Sequence, residues 1–486
     1  MQEIEQVTAE YLPVASACSA VFFVLDQLSL INHFYQFSLQ FFQDIFDFVL
    51  LHNPALKGLT DPAARLSKLI NDLFLHVYKR TSRALLHRDH IILATLLAQI
   101  KLKGLGQAID EGEVEFFLEG SASLQVGHSG PEADLPFMTD EQRKQLHHLA
   151  RLPAFKEIAQ TIATNPDNWT AVLASATPET QLPTSSTAES GTSLPVCTGM
   201  VETPTDRSCF PDSIAGFRNM LLIKALRPDR LLPAATVFTN LVFSADLLSE
   251  SGYELNKVVS DEVSSSSPVA MCSVPGYDAS FRIENLVTAS SAEGVRCTAV
   301  AMGSQEGFSL ADQAISAASR TGSWVLLKNV HLAPGWLSQL EKRLQSMKAH
   351  RNFRLFLTLE TNPNIPVNIL RQSRIIMNEP PPGIRANLLD TLRSISPERL
   401  SGPGPVERYR LYFSLAWLHA ILVERLRYAP VGFSKIYEFN DSDMEAALMT
   451  IDSWMMEVAK GKSNVNPAGI PFAALKSLLK QAIYGG

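Results

Sequence analysis

Short apolar runs at a nearly constant spacing constrain the fold of this chain more than any other feature. Four of them start 28, 28 and 29 residues apart, at Pro268, Arg296, Trp324 and Phe353, and a fifth covers Arg374–Met377. Helix-like segments fill the first three gaps, and strand–helix units of about thirty residues are typical of parallel sheets. Because the runs are hydrophobic almost throughout, we expect a parallel sheet with helices on both faces.

Helical periodicity flanks the predicted sheet on both sides. Before the sheet, apolar residues recur at three- and four-residue steps and predict a helix, at Phe34, Phe37, Phe41, Ile45 and Phe48. After it, Leu411–Val423 is apolar nearly all round and predicts a buried central helix. Since single cores stop growing at roughly 250–300 residues, we predict helical domains at 1–105 and 391–486 and an α/β domain at 106–390.

A polar segment interrupts the helical pattern ahead of the sheet. Between 175 and 212, 21 of 38 residues are Ser, Thr, Pro or Gly. Such a composition cannot bury enough apolar surface to offset the entropy of ordering the chain. We therefore predict a disordered insertion near 175–212, with helices before it at 139–175 and after it at 213–250.

Composition excludes several classes of function. The net charge is −7 and the basic residues are scattered, so we expect no nucleic-acid partner. The five cysteines form no C-x-x-C pair, which argues against a disulfide framework and against a zinc site. The longest apolar run, Ala15–Leu25, holds about eleven residues and is too short to cross a bilayer, so we expect no membrane insertion.

The phosphate-binding loop expected in such a sheet is degraded. Its signature is G-x-x-x-x-G-K-[ST] between a strand and a helix. The Gly-Lys-Ser at Gly461 follows a predicted helix, Met444–Ala459, and is interpreted as a helix-capping glycine. The proper place, after the first strand, has one glycine, no lysine and an acid where phosphates would lie; it reads Pro275, Gly276, Tyr277, Asp278, Ala279 and Ser280. We expect no nucleotide cofactor in this segment.

The strand that should carry the catalytic carboxylates has none. Hydrolysis of ATP needs an acid at the end of a hydrophobic strand to hold Mg²⁺ and orient the attacking water. The matching strand ends in Lys328 and Asn329 instead, so we predict neither a catalytic residue nor a metal. Arg371 and Arg374 could reach the site of a neighbouring module, or they could form surface salt bridges.

Several long strings resemble one family. Gly322–Leu337 is similar to the sixth AAA+ module of dynein heavy chains, at the strand whose acid is lost. Asn378–Gly383 resembles the loop that leads to the small domain of that module, and Glu424–Phe433 resembles the final helical lid, which Ile483–Gly486 would close. The degenerate loop, Val274–Ser280, resembles that of cytoplasmic rather than axonemal dyneins.

The first 105 residues resemble the end of the fifth module. Tyr11–Val14 is similar to the return helix of its coiled-coil buttress, and Tyr35–Leu39 to its small helical domain. The resemblance implies a degenerate P-loop AAA+ module, with a parallel sheet and helices on both faces, flanked by helical small (lid) domains. The insertion near 175–212 has no counterpart in it.

The resemblance also implies a function. This would be a ring-closing, non-hydrolysing segment of a minus-end-directed microtubule motor for retrograde transport, located in the cytoplasm on microtubules. Its partners would be the other AAA+ modules of the same heavy chain, with ATP and Mg²⁺ bound at upstream modules. Dynein intermediate and light chains and the microtubule would be contacted by regions absent from this sequence. The alternatives are an ADP-holding regulatory module and a truncated paralogue acting as an adaptor.

Overall fold

The structure is a computed structural model, and it describes most of the chain. The described residues are 2–52, 61–104, 109–119, 137–164, 166–180, 182, 212–243, 247–248, 253–274, 277, 279–290, 295–402, 404–428, 437 and 439–484. They form two compact units. The first comprises Met1–Gln27, Leu39–Ser82 and Arg88–Ser249, and the second comprises Leu28–Ser38, Arg83–His87 and Glu250–Gly486.

The described part of the first unit is helical. Its helices are α1 Gln2–Gln27, α2 Leu39–His52, α3 Pro62–Thr81, α4 His90–Gly104, α5 Glu111–Glu119, α6 Asp140–Leu149, α7 Ile158–Thr164, α8 Pro166–Ala174, α9 Asp212–Leu226 and α10 Leu231–Phe243. The helices predicted at 139–175 and 213–250 are therefore confirmed as far as Ala174 and Phe243. Residues 106–249 cluster with this unit and not with the sheet, whereas the predicted module boundaries at 105 and 390 stay predictions.

The core of the first unit is built around aromatic rings and two lysines. Phe217 lies 5.4 Å from Phe238 between ring centroids, and both rings are fully buried. Lys224 donates hydrogen bonds of 2.6 Å to two carbonyl oxygens near the end of α5, and Lys101 donates one of 2.7 Å to Val242 near the end of α10. Cations at helix carboxyl ends satisfy carbonyls that lack an intrahelical partner. Burial lowers the pKa of Lys101 to about 8.

The predicted helical stripe that starts at Phe34 is wrong over its first third. The helix α2 begins at Leu39, and Phe34 and Phe37 precede it as buried residues of the second unit. The backbone N–H of Phe34 donates to the side chain of Asn32 at 3.1 Å, a local bond that competes with helix formation. The aromatic side chains are buried as expected, but two of them lie in an irregular segment.

The second unit contains the predicted sheet. Its sheet domain comprises α11 Leu255–Asp261, β1 Val269–Ser273, α12 Ser280–Ser290, β2 Cys297–Ala301, α13 Gln305–Thr321, β3 Trp324–Lys328, α14 Pro334–Ser346, β4 Arg354–Glu360, α15 Val367–Gln372 and β5 Arg374–Asn378. The strands are parallel in the order β2-β3-β4-β1-β5. All five predicted strands and the α/β fold are confirmed.

The strands differ in burial according to their place in the sheet. Every residue of β1, an interior strand of the sheet, is buried, as a strand covered on both faces requires. The edge strand β2 exposes Thr298, Ala299 and Ala301. The expectation that all the apolar runs are covered on both faces is therefore wrong for β2, because its small side chains lie at the margin of the sheet, where helices give less cover.

A set of helices after the sheet forms the C-terminal bundle. It comprises α16 Ile384–Ser394, α17 Pro397–Ser401, α18 Arg408–Arg425, α19 Asp441–Ala459, α20 Phe472–Leu478 and a π-helical turn, Leu479–Ile483. The predicted buried centre is α18, but only one face of it is buried. Phe413 and Trp417 are 52% and 46% exposed, so the prediction of burial all round is wrong.

The structure describes the first residues of the predicted disordered insertion. Pro178–Thr180 forms a 3-10 turn in which Pro178 is buried, and Arg230 forms an ion pair with Glu179. Disorder is therefore wrong for 175–180. Residues 181 and 183–211 lie outside the described residues.

One helical stretch is long and apolar enough to cross a membrane. Tyr11–Leu30 has a mean hydropathy of 1.5 over a length sufficient to cross a bilayer, and 22% of it is buried. A single such helix is weak evidence, since helices of soluble proteins pass the same test. The apolar stretch is longer than the eleven-residue run suggested, and the absence of membrane insertion stays a prediction.

Candidate functional site

The candidate site is the carboxyl edge of the sheet, between the end of β1 and the start of α12. Ligands of open α/β sheets bind at this edge. Of the degenerate loop, Pro275, Gly276 and Asp278 lie outside the described residues. Ala279 and Ser280 are buried at the start of α12, and the backbone oxygen of Tyr277 accepts a bond of 3.4 Å from Asn378.

Two polar side chains meet at this edge. Ser273 ends β1 and is paired in register with Asn378, which ends β5. The hydroxyl oxygen of Ser273 and the side-chain carbonyl oxygen of Asn378 are buried without a hydrogen-bond partner. Unpaired buried polar atoms cost free energy. This edge of the sheet therefore has two hydrogen-bonding atoms that are not satisfied within the described residues.

Lys328 holds the position where a metal-binding acid would stand, and it is paired. Its Nζ lies 2.5 Å from Oε1 of Glu284, on α12. Asn329 follows with a left-handed backbone, φ 58°, and its N–H donates to the hydroxyl of Thr358 at 3.2 Å. The cation therefore lies at the end of β3 with a carboxylate from the neighbouring helix, and Asn329 is held by its backbone.

The first turn of α12 carries a second charged cluster. Arg282 contacts the carboxylate of Asp390 at 3.1 Å and that of Asp441 at 3.9 Å. The phenol groups of Tyr253 and Tyr277 interact electrostatically with the same guanidinium. Two residues of α12, Arg282 and Glu284, thus place ion pairs where a P-loop helix would face phosphates and metal.

The electrostatics of the cluster follow from burial. Burial opposes the charge of Arg282, but the two tyrosines and the two carboxylates outweigh it and raise the arginine pKa above its ordinary value. Burial also raises the pKa of Tyr277 to about 12. It raises the pKa of Asp441 as well, an effect that Arg282 partly offsets. At neutral pH the cluster therefore holds the guanidinium cation beside two neutral phenol groups.

The remaining predicted site residues lie elsewhere. The Nε of Arg371 donates to Gln36 at 3.2 Å, and Arg374 donates weakly to the carbonyl of Glu262 at 3.4 Å. Both contacts are inside the second unit, so neither supports a reach into a neighbouring module. Gly461 does follow α19, at φ 82°, but Lys460 is the capping residue, with φ 47°.

The sequence analysis missed Arg282 and Glu284. Two opposite charges in the first turns of the helix after a degenerate phosphate loop were a usable signal, but their partners lie far away along the chain. Among the described residues, no group of three or more His, Cys, Asp or Glu side chains could hold a metal ion.

Comparison with known proteins identifies the two parts of the second unit. Residues 264–377 match the family model of the dynein heavy chain region D6 P-loop domain. Residues 408–486 match the model of the dynein heavy chain AAA lid domain. This chain belongs to the dynein heavy-chain family. The sheet domain is accordingly a P-loop AAA+ domain, and the C-terminal bundle corresponds to its lid.

Similarity to dynein heavy chains extends over the rest of the sequence. The chain is 41% identical over its full length to the cytoplasmic dynein heavy chain of Drosophila melanogaster and 40% identical to that of Dictyostelium discoideum. It is 38% identical over 98% of its length to that of Caenorhabditis elegans. In each case it spans 10% of the relative. It thus matches about a tenth of such a heavy chain, in its motor region.

Proposed function

We propose that this chain is the ring-closing, non-hydrolysing segment of a cytoplasmic dynein heavy chain. The observation that carries the proposal is the ion pair of Lys328 with Glu284, at the strand end where hydrolysis needs a metal-binding carboxylate. A cation there repels Mg²⁺ and cannot orient water. Glu284 is engaged by that cation, so the nearest acid on α12 is not a free replacement.

Weak nucleotide binding is the second part of the proposal. The loop lacks the phosphate-binding lysine, and α12 presents Arg282 already shared with two carboxylates. Charge-assisted hydrogen bonds contribute about 1.5–3 kcal/mol each. The loss of two or three such hydrogen bonds weakens the free energy of nucleotide binding by roughly 4–6 kcal/mol. A site with a micromolar dissociation constant then becomes millimolar or weaker.

The role in the whole motor follows from the family. In the parent heavy chain, ATP and Mg²⁺ would act at upstream modules, and this segment would close the ring against the other AAA+ modules. Minus-end-directed transport on microtubules, the intermediate and light chains and a cytoplasmic location belong to that proposed parent. The names of the relatives, cytoplasmic dynein heavy chains, support the cytoplasmic assignment.

Calorimetry with ADP and ATP, with and without Mg²⁺, tests the proposal on the full chain. We expect dissociation constants of about 1 mM or weaker and no phosphate release. Lys328→Asp, which returns a carboxylate to the strand end, should still bind weakly because the loop lysine is missing. Lys342→Asp, on the exposed side of α14, is the control for the charge change.

Tight binding would contradict this proposal. A dissociation constant below about 10 μM for ADP, equivalent to more than about 6.8 kcal/mol, would replace it with an ADP-holding regulatory module. Phosphate release by the unmodified chain would contradict the non-hydrolysing role separately.

A further inference from the structure

The Arg282 cluster lies between two separate hydrophobic cores of the second unit. Next to Arg282 on α12, Ile283 and Leu286 are buried in the core of the sheet domain. On α16, Leu388 and Leu392 flank Asp390 and pack against the core of the C-terminal bundle. The arginine is therefore anchored to one core, and its carboxylate partner to the other.

The second carboxylate belongs to the same bundle. Asp441 is the first residue of α19, and Met444 and Ala447 of that helix are buried in the core of the bundle. The capping box formed by Asn440 with Asp443 fixes where α19 begins. Both acids are thus held by the bundle, while Arg282 is held by the sheet domain.

The electrostatics of α12 give Arg282 a reason to need acidic partners. Arg282 lies in the first turn of an eleven-residue helix, where the helix dipole and unpaired N–H groups favour anions. In a P-loop protein the phosphates supply that negative charge. Here Arg282 adds a cation to that turn, and the carboxylates of Asp390 and Asp441 from the C-terminal bundle balance its charge.

We propose that Arg282, Asp390 and Asp441 form a permanent ionic tie that fixes the C-terminal bundle on the sheet domain without a nucleotide. The device deepens the proposed function, on which it rests, by naming the contact that makes this module a rigid part of a ring. A rigid module passes on motion generated elsewhere, whereas a nucleotide-gated one would open and close.

Single-molecule energy transfer on the full chain measures the tie directly. Fluorophores on bio-orthogonal residues at Gln313, on α13, and Ser453, on α19, mark the sheet domain and the bundle at exposed positions. We expect one narrow distance distribution for the unmodified chain, unchanged by Mg·ATP at 1 mM. In Arg282→Gln, about a tenth or more of the molecules should enter a second population.

Control variants distinguish loss of the ionic tie from a general loss of folded structure. Arg320→Gln changes an exposed arginine at the end of α13 and should leave the single population intact. The double variant Asp390→Asn with Asp441→Asn removes the same attraction with isosteric side chains, so the proposal remains testable if Arg282→Gln does not fold. Arg282→Lys keeps the charge but loses the planar guanidinium group. Its second population should be smaller than that of Arg282→Gln and larger than that of the unmodified chain.

The outcomes distinguish this inference from the proposed function. A single unchanged population in folded Arg282→Gln and in the double variant would overturn the tie while leaving the weak nucleotide binding untouched. A distance shift of the unmodified chain on addition of Mg·ATP would instead contradict the proposed function, since it would show a nucleotide acting at this module.

Discussion

The sheet domain and the C-terminal bundle are stabilised in different ways. The buried residues of β1 and the inner part of β4 are apolar apart from Ser273 and Thr358. The bundle instead buries charged and titratable groups, among them Arg408 and His419. The sheet therefore keeps its shape whether or not its loop can bind phosphates, because apolar burial does not depend on that chemistry.

Replacement of a sheet residue should produce the largest loss of stability. Phe356 of β4 is fully buried and lies 5.3 Å from the ring of Trp324. Phe356→Ala removes about 3–5 kcal/mol from the free energy of unfolding, because it combines lost burial with a cavity. Urea unfolding of the full chain measures this.

The matched control is an exposed phenylalanine of the bundle. Phe413→Ala removes the same atoms from a side chain that is 52% exposed, and should change the free energy of unfolding by no more than about 0.5 kcal/mol. Equal losses for the two variants would show that the exposed face of α18 is covered in solution, and would remove the contrast in burial.

Loss of a charge in the bundle should have the next largest effect. Arg399 forms a bidentate pair with Glu445, at 2.6 and 2.7 Å, and a third contact of 3.2 Å with Asp452. Arg399→Met leaves two facing acids in a half-buried place, which should cost about 2–3 kcal/mol in thermal or urea unfolding.

Neutralising the acids tests that explanation. If the cost of Arg399→Met comes from unpaired carboxylates, then adding Glu445→Gln and Asp452→Asn should recover at least half of it. A triple variant as unstable as the single one would show that the packing of the arginine stem, and not its charge, holds α17 on α19.

The sheet was predictable because its signal is local. Each of the first four strands is a short apolar run followed by a helical segment, as for Trp324–Lys328. The face that α18 buries was not predictable, because an all-round apolar pattern assigns no side to Phe413 or Trp417. Which face is covered depends on helices elsewhere in the chain.

The site was predictable in what it lacks and not in what it contains. The degraded loop and the strand end without an acid could be recognised as altered motifs. Lys328 lies at the end of β3, as the sequence predicted. The partners of Arg282 were not visible, since Asp390 and Asp441 come from helices beyond the sheet. Ion pairs between distant segments leave no periodic trace in a sequence.

The pH dependence of the bundle should give the smallest effect that separates the two regions. His419 of α18 is buried and its Nδ1 lies 3.1 Å from the hydroxyl of Tyr484, while Asp443 is the charged group facing it. Burial lowers the histidine pKa from 6.5 to about 4, and Asp443 only partly opposes this. The folded state therefore holds this imidazole neutral where the unfolded chain would be protonated.

The sign follows from proton binding. Above pH 6.5 neither state binds the proton and stability is unaffected; between pH 6.5 and about 4 the unfolded state binds more protons, so stability falls as the pH falls. At pH 5 the loss is about 2 kcal/mol relative to pH 7.5. Urea unfolding at the two pH values measures it, with His419→Gln as the comparison because glutamine cannot titrate. The difference between pH values should shrink by about 2 kcal/mol in that variant, and an unchanged difference would place the acid sensitivity outside His419.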